Sequence, residues 1–380
     1  MDGTLNKRIN SKGKTVYDVY YRCFDPSIGK KKQFCKRGFK TQREAKEYLN
    51  QIQNSSINGT FIKENKITFK EYAEEWLSIY AEPHLQETTV ESYKNQLNMH
   101  IYPFLGGLQL KQLTPLHLDI FYKEKLKNGR LNTEGGLSNR SVLYLHRIIH
   151  EILEHAVKKQ IIPINISNNA TPPKAARYEA DVLTLDEVKL MFEKLKDNEI
   201  ELPVKLAAYL GLRRGEVLGL TWDNIDFNNK TITITQQVVQ VNNYPVITTP
   251  KTDGSKRTVF LPDILISNLK EYKSKNTSKL FKNKELNLIF CNEDGSPLKP
   301  VNFYNKYKSF LKKNGIKVIR FHDLRHTCAT MLLQQGVDIK TISDILGHST
   351  IKITADTYTH VLDEGKKRAS DIIATAYNSI

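Results

Sequence analysis

Hydrophobic positions change their spacing along the chain, and each change marks a different kind of structure. Residues 15 to 22, Thr-Val-Tyr-Asp-Val-Tyr-Tyr-Arg, are rich in β-branched and aromatic types, which suit a pleated, half-buried surface. A turn segment, Asp25 to Gly29, separates them from a second run, Gln33 to Phe39, so the N-terminal stretch predicts a hairpin. Thr41-Gln42-Arg43-Glu44 then matches a capping box, with Ala45, Tyr48, Leu49 and Ile52 spaced to lay one helix face on that sheet.

From Ile67 the spacing becomes helical. Phe69, Tyr72, Ala73, Trp76, Leu77 and Tyr80 form one apolar stripe behind a cap at Thr68. Further helices are expected near Thr88 to Ile101, Thr114 to Asn128 and Ser138 to Lys159, the last burying Val142, Leu145, Ile148, Ile149, Ile152 and Ala156. The polar stretch Asn168 to Arg177 contains Pro172-Pro173 and has no period, which marks a linker. Beyond it, Thr184 and Glu187 suggest a capped helix, followed by an apolar helix around Leu202 to Leu210. Strand-like segments come at Thr231 to Gln240, Tyr244 to Thr248 and Lys256 to Leu261, and helices resume after Asn302. The expected fold class is multidomain, mainly α with small β-sheets. Its parts are a sheet-plus-helix domain (1–63), a helical domain (64–167), a linker (168–181) and a mixed α+β domain (182–380).

At 380 residues, two or three domains are the prior. No apolar run approaches the ~18 residues that span a bilayer. The opening MDGTLNKRINSKGK lacks the apolar core of a secretory signal. Cys23, Cys35, Cys291 and Cys328 form no CxxC pair, so a reducing cytoplasm is expected, with nucleoid association once DNA is bound. Charge changes the picture most. The chain carries +16, and its first 50 residues hold 13 Lys and Arg against 5 Asp and Glu. A polyanion is the expected partner. Lys30, Lys31, Lys32, Lys36 and Arg37, on a small basic sheet backed by one helix, are the candidate DNA contacts, because a β-ribbon fits the major groove.

Four segments of the last domain hold the chemical signal. In Gly211-Leu212-Arg213-Arg214-Gly215-Glu216, an Arg stands where a helix should start and an acid three residues on shares its face. Alone, such pairs are mostly surface ion pairs. Thr249-Pro250-Lys251-Thr252 forms a turn whose Lys can reach a phosphate or supply a proton. Arg320-Phe321-His322-Asp323-Leu324-Arg325-His326 opens a helix, with His322 and Arg325 neighbours on one face where both can donate to phosphate oxygens. His322 and His326 also have metal-ligand spacing, without an evident third ligand. Finally, a helix from about Ile339 should end at Gly347, with His348 directly after it and Tyr358 ten residues later.

In combination these segments resemble the tyrosine recombinase (phage integrase) family, whose motifs appear in order as GLRRGE, PKT, HDLRH, LGH and TYTH over most of residues 182 to 362. The resemblance implies an integrase of a bacterial prophage or integrative conjugative element. Its three domains would bind arm-type DNA sites, bind core sites and catalyse. By similarity, Arg213 and Arg325 clamp the non-bridging phosphate oxygens, His348 adds a donor, and Lys251 protonates the leaving 5′ oxygen. His322 assists proton transfer or orientation, Glu216 supports Arg213, and Tyr358 is the nucleophile that carries a 3′-phosphotyrosyl link. The link conserves phosphodiester energy, so neither ATP nor a metal or other cofactor is implied. Partners by resemblance are double-stranded DNA at core and arm sites, a homotetramer on that DNA, and accessory DNA-bending proteins.

Three other readings stay open on the sequence. They are a topoisomerase-like or resolving recombinase with the same chemistry, a DNA-binding regulator that has lost catalysis, and a metal-dependent nuclease built on His322 and His326. After Tyr358, the positions Ala369, Ile372, Ile373 and Ala376 suggest one apolar helix face that docks on a neighbouring subunit or packs within its own domain.

Overall fold

Three strands, not two, build the N-terminal sheet. In the computed structural model, which describes residues 3–25, 30–57, 66–176, 181–249, 256–276, 285–358 and four positions near the C-terminus, β1 (Gly3–Ile9), β2 (Thr15–Asp25) and β3 (Lys30–Phe39) pair antiparallel in the order β1-β2-β3. The edge strand β1 escaped the sequence pattern because most of its residues are polar and exposed. Register jumps from Tyr17–Phe39 to Val19–Lys36, a bulge at Gly38 (φ +90°), whose N–H donates to buried Asp18. Helix α1 (Gln42–Ile57) closes a small core of Val19, Tyr21, Ala45 and Ile52. Its start is capped by the Thr41 hydroxyl, which accepts the Glu44 N–H. The Glu44 carboxylate reaches the Lys40 N–H, one residue earlier than the expected box.

A second, larger core belongs to the helical segment. Helix α2 (Phe69–Trp76) starts with a full Thr68–Glu71 capping box and runs through a π turn at Leu77–Ala81. Helix α3 (Glu87–Gln96) continues through another π turn at Leu97–Ile101. With α4 (Pro115–Asn128) and α5 (Asn139–Lys158), these surround Phe69, Trp76, Leu97, Phe121, Ile149 and Ile152. The first part of the stretch expected as linker is tied to these helices: the Thr171 N–H donates to Asp119 and the Asn139 amide to the Lys174 carbonyl. Together these regions form one compact unit, Met1–Ala176, and the rest of the chain forms another, Arg177–Ile380.

The second unit begins with α6 (Leu185–Leu195), whose Thr184–Glu187 box forms as the sequence predicts, and α7 (Glu201–Leu210). After the short α8 (Arg214–Leu218) come two sheets. One orders β4 (Ile225–Asp226), β5 (Thr231–Ile234) and β8 (Arg257–Phe260); the other is a hairpin of β6 (Gln237–Val241) and β7 (Tyr244–Thr248). The strand expected over Thr231 to Gln240 is therefore two strands in different sheets. At the break the Gln236 amide donates to the Gly219 carbonyl and the Asn224 amide to the Thr235 hydroxyl. Gly219 permits this approach, since a Cβ there would lie 2.8 Å from the Gln237 Cα.

Helices resume earlier than expected, at α9 (Asp263–Lys275), which buries Leu265, Ile266 and Leu269. Then follow α10 (Pro300–Lys313), α11 (Asp323–Gln334), α12 (Ile339–Leu346) and α13 (Ile351–Thr357). The core of this unit includes Leu206, Leu210, Leu212, Leu218, Ile232, Val259, Phe321 and Leu324. Among the described residues no helix is long and apolar enough to cross a membrane.

Candidate active site

Two left-handed glycines shape the centre of the second unit. Gly211 (φ +62°) ends α7 and Gly347 (φ +64°) ends α12, and the carbonyl of each accepts a guanidinium. Arg325 Nη1 donates to the Gly211 oxygen at 2.9 Å, and Arg213 Nη2 to the Gly347 oxygen at 3.3 Å. Arg213 occupies the N-cap of α8, so Glu216 one turn on receives both its N–H (2.9 Å) and its Nη1 (2.6 Å).

Glu216 is 2% exposed, and a second cation holds it. Arg257, on β8, donates to both carboxylate oxygens at 3.2 and 2.9 Å, and its Nε donates to the Ile345 carbonyl at 2.6 Å. Burial alone would raise the Glu216 pKa, but the bonds from Arg257 and the charges of Arg257 and Arg213 hold it below the usual carboxylate range. One buried carboxylate thus orients two arginines, and both arginines grip the end of α12. Sequence reasoning missed Arg257. The available signal was a charge on the same strand face as buried Val259.

Arg325 is 1% exposed, and its Nη2 has no hydrogen-bond partner among the described residues. Burial and the nearby Arg213 charge pull its pKa down to about 9, with Glu216 opposing. The entry to its helix is fixed by Asp323, which accepts the Arg320 N–H and guanidinium, while Thr327 joins the Asp323 carbonyl to the Leu183 N–H. His322 sits at the N-cap of α11, with a pKa pushed down to about 4 by burial and then by His326, Arg325 and Arg213. His348 follows Gly347, its Nδ1 2.7 Å from the Thr354 hydroxyl, and burial with the Arg325 and Arg213 charges pushes it down to about 3. Both imidazoles are neutral at pH 7.

Tyr358 lies at the end of α13, 2% exposed and packed among Ala329, Leu333, Ile342 and Leu346. Burial raises its pKa well above the ordinary phenol value, with Arg325 pulling the other way. Its hydroxyl is 2.8 Å from Nδ1 of His326. His326, weighed from sequence only as a metal ligand, faces Tyr358. Among the described residues no group of three or more His, Cys, Asp and Glu stands together to hold a metal. The structure thus gathers Arg213, Glu216, His322, Arg325, His348 and Tyr358, which span 146 positions of sequence. Lys251 and the tail positions Ala369, Ile372, Ile373 and Ala376 lie outside the described residues.

The remaining candidates are in the first unit. Lys30, Lys31, Lys32 and Arg37 are exposed on β3, whereas Lys36 turns toward α1 and lies 4.5 Å from the centre of the Tyr48 ring. Arg37 shares the open face of the sheet with Tyr20 and Cys35, whose groups it meets.

Comparison with known proteins identifies the family. Residues 181–365 match the phage integrase family, residues 68–126 the N-terminal SAM-like domain of phage integrases, and residues 6–56 an arm DNA-binding domain. A XerC-like tyrosine recombinase of Caldanaerobacter subterraneus is 29% identical, the alignment covering 88% of this chain and 90% of the relative. The ICEBs1 integrase of Bacillus subtilis is 27% identical over 94% of this chain and 96% of its own length. Among solved structures, the Tn1549 transposon integrase in complex with a circular intermediate DNA superposes with a TM-score of 0.67 at 17% identity, covering 80% of this chain and 99% of that one. A lambda integrase dimer bound to a core site gives 0.58 at 16% identity, over 93% and 94%. These solved structures share the fold. The chain belongs to the phage integrase family of tyrosine recombinases.

Proposed function

We propose that the chain is a site-specific DNA recombinase that integrates or excises a mobile element, cleaving and rejoining attachment-site DNA through a 3′-phosphotyrosyl link on Tyr358. The observation that carries the reading is a cluster in which the Arg213 and Arg325 charges act on His322 and His348 while Arg325 also acts on buried Tyr358. A phenol is a poor nucleophile at neutral pH, and a phosphodiester in attack gathers negative charge on its non-bridging oxygens. Arg213 and Arg325 supply preorganised charge for those oxygens, and Nη2 of Arg325, which has no partner among the described residues, is a buried donor suited to one of them. Neutral His348 and His322 donate hydrogen bonds or relay protons without adding to the repulsion between the arginines. Lys251 is assigned the leaving 5′ oxygen on its motif alone.

The same reading makes double-stranded DNA the substrate. Core sites go to the helical segment, and arm sites to the basic sheet carrying Lys30, Lys31, Lys32 and Arg37. Strand exchange needs partner duplexes and therefore several subunits. A lambda integrase tetramer has been solved on a Holliday junction, and a homotetramer assisted by accessory DNA-bending proteins is proposed here.

The test is covalent trapping on a nicked duplex carrying the attachment site, with and without chelator, comparing wild type with Tyr358→Phe. A denaturation-resistant adduct that persists in chelator and vanishes in Tyr358→Phe is expected. Confirmed binding of the site without any adduct would favour a regulator, and metal-dependent cleavage surviving in Tyr358→Phe would favour a nuclease.

A further inference from the structure

We propose that His326 is a catalytic residue, the proton acceptor that activates Tyr358. The assignment rests on the recombinase reading above. Its Nδ1 stands a full hydrogen bond from the phenol, at 2.8 Å, and no other hydrogen-bond partner of that hydroxyl stands among the described residues. The pair joins two elements, since His326 lies one turn into α11 and Tyr358 follows α13.

The groups facing His326 decide which way the proton sits. From its own helix and the turn before it come Asp323, Arg325 and Arg320, and the His322 ring meets it edge-on at 5.1 Å. His348, ahead of α13, and Tyr358 complete the set. Burial lowers the His326 pKa, Asp323 opposes it, and Arg325 and Arg320 add to it. The imidazole is therefore neutral at pH 7, and in its Nε2–H tautomer, the one the proposal uses, Nδ1 is left to accept the phenol hydrogen. His322 is closer in sequence to the helix N-terminus and suits the phosphate side of the site. Among the described residues, His326 is the one that hydrogen-bonds the nucleophile's hydroxyl.

In cleavage, the Tyr358 O–H bond breaks and its proton passes to His326 Nδ1. The phenolate oxygen forms the bond to phosphorus, the P–O5′ bond breaks, and the departing oxygen takes a proton from a separate acid. In rejoining, the 5′-hydroxyl gives its proton to the conjugate base of that acid and attacks phosphorus. The imidazolium of His326 then returns its proton to the phenolate as it leaves.

The experiment is single-turnover adduct formation on the nicked duplex from pH 4.5 to 9, for wild type, His326→Gln and His326→Asn, with DNA affinity and thermal transitions measured in parallel. Wild type should lose rate as His326 protonates in the acidic range. Both variants should bind DNA as wild type does, form adduct about 100-fold or more slowly at pH 7, and lose the acidic limb. Rates within about threefold of wild type, well below the usual effect of a general base, would overturn the proposal. So would a slower rate with the acidic limb intact, which marks a structural role, or a faster rate, which marks the contact as a restraint. If neither variant folds, a flat wild-type profile across the whole range overturns it without them. An adduct that survives in Tyr358→Phe would instead undo the recombinase reading itself, so the two failures are separable.

Discussion

Arg257 Nη2 lies 2.9 Å from the Glu216 carboxylate, and this ion pair joins the β8 strand to the helix that presents Arg213. The two side chains are 6% and 2% exposed. Breaking such a buried pair from one side leaves the other charge stranded, at a cost of about 3–5 kcal/mol. Because Arg213 still holds Glu216 after Arg257→Ala, the variant is expected to destabilise the second unit by the lower end of that range at most, and to depress adduct formation as Arg213 and the end of α12 lose a common anchor. Urea denaturation checks the first effect and covalent trapping the second. In a double-mutant cycle with Glu216→Gln, the losses should fall well short of additive; simple additivity would show that the two side chains do not act as a unit.

The glycine caps give a second expectation. A Cβ at Gly211 would lie 2.5 Å from a Leu346 methyl, on a backbone with φ +62°. The left-handed conformation alone costs roughly 1–2 kcal/mol for an L-residue. Gly211→Ala should therefore lose more than that conformational cost alone, and Gly211→Ala and Gly347→Ala should each slow adduct formation by moving the carbonyl that holds Arg325 or Arg213. Thermal denaturation reads the Gly211→Ala loss. Adding Leu346→Ala to Gly211→Ala should recover part of the loss if the methyl clash is the cause.

How far the sequence was readable follows from the range of each interaction. The boxes at Thr68–Glu71 and Thr184–Glu187 act over three residues, and both form as spacing predicts. The Gly347 cap followed by His348 is equally local. The Arg257–Glu216 pair spans 41 positions and the His326–Tyr358 pair 32, so neither left a periodic trace. The family motifs brought Arg213, Glu216, His322, Arg325, His348 and Tyr358 into consideration as a set, and the fold gathers them. The break after Ile234 was hidden for another reason. Val238 and Ile234 both read as strand, and they fall in different sheets where the Gly219 backbone approaches β6 and the Gln236 and Asn224 amides bond across the break.

Stability should depend on pH through the site histidines. Folded, His322 titrates at about 4 and His348 at about 3, against about 6.5 in an unfolded chain. Between those values the unfolded state binds more protons, so stability rises with pH there. Their contribution is whole above pH ~6.5 and is lost as pH falls toward 4 and then 3. Glu216, whose pKa is lowered, gives way only below the ordinary carboxylate range. Trp222 fluorescence in a Trp76→Phe background follows the second unit alone. The midpoint should fall between pH 6.5 and 5, and His348→Asn should flatten that slope. A slope unchanged in both His322→Asn and His348→Asn would contradict the neutral assignment.

The N-terminal sheet separates DNA binding from packing on a single strand. Lys31 and Arg37 are exposed on β3, and Arg37 meets Tyr20 and Cys35 on the face away from α1. Lys36 instead stands over the Tyr48 ring on the helix side. Each phosphate left without its cation should reduce the slope of log affinity against log salt by about 0.9. Lys31→Ala and Arg37→Ala together should lower that slope by nearly two for duplexes carrying the arm site, and leave the thermal transition of the first unit in place. Lys36→Ala should do the reverse, keeping most of the slope and costing about 0.5–1 kcal/mol by removing the cation–π interaction. Filter binding at several salt concentrations, read beside a melting curve for each variant, distinguishes the two roles. Equal salt effects from Lys36 and Lys31 would mean that the helix-side lysine swings out to meet DNA, and the division of the strand into two faces would have to be given up.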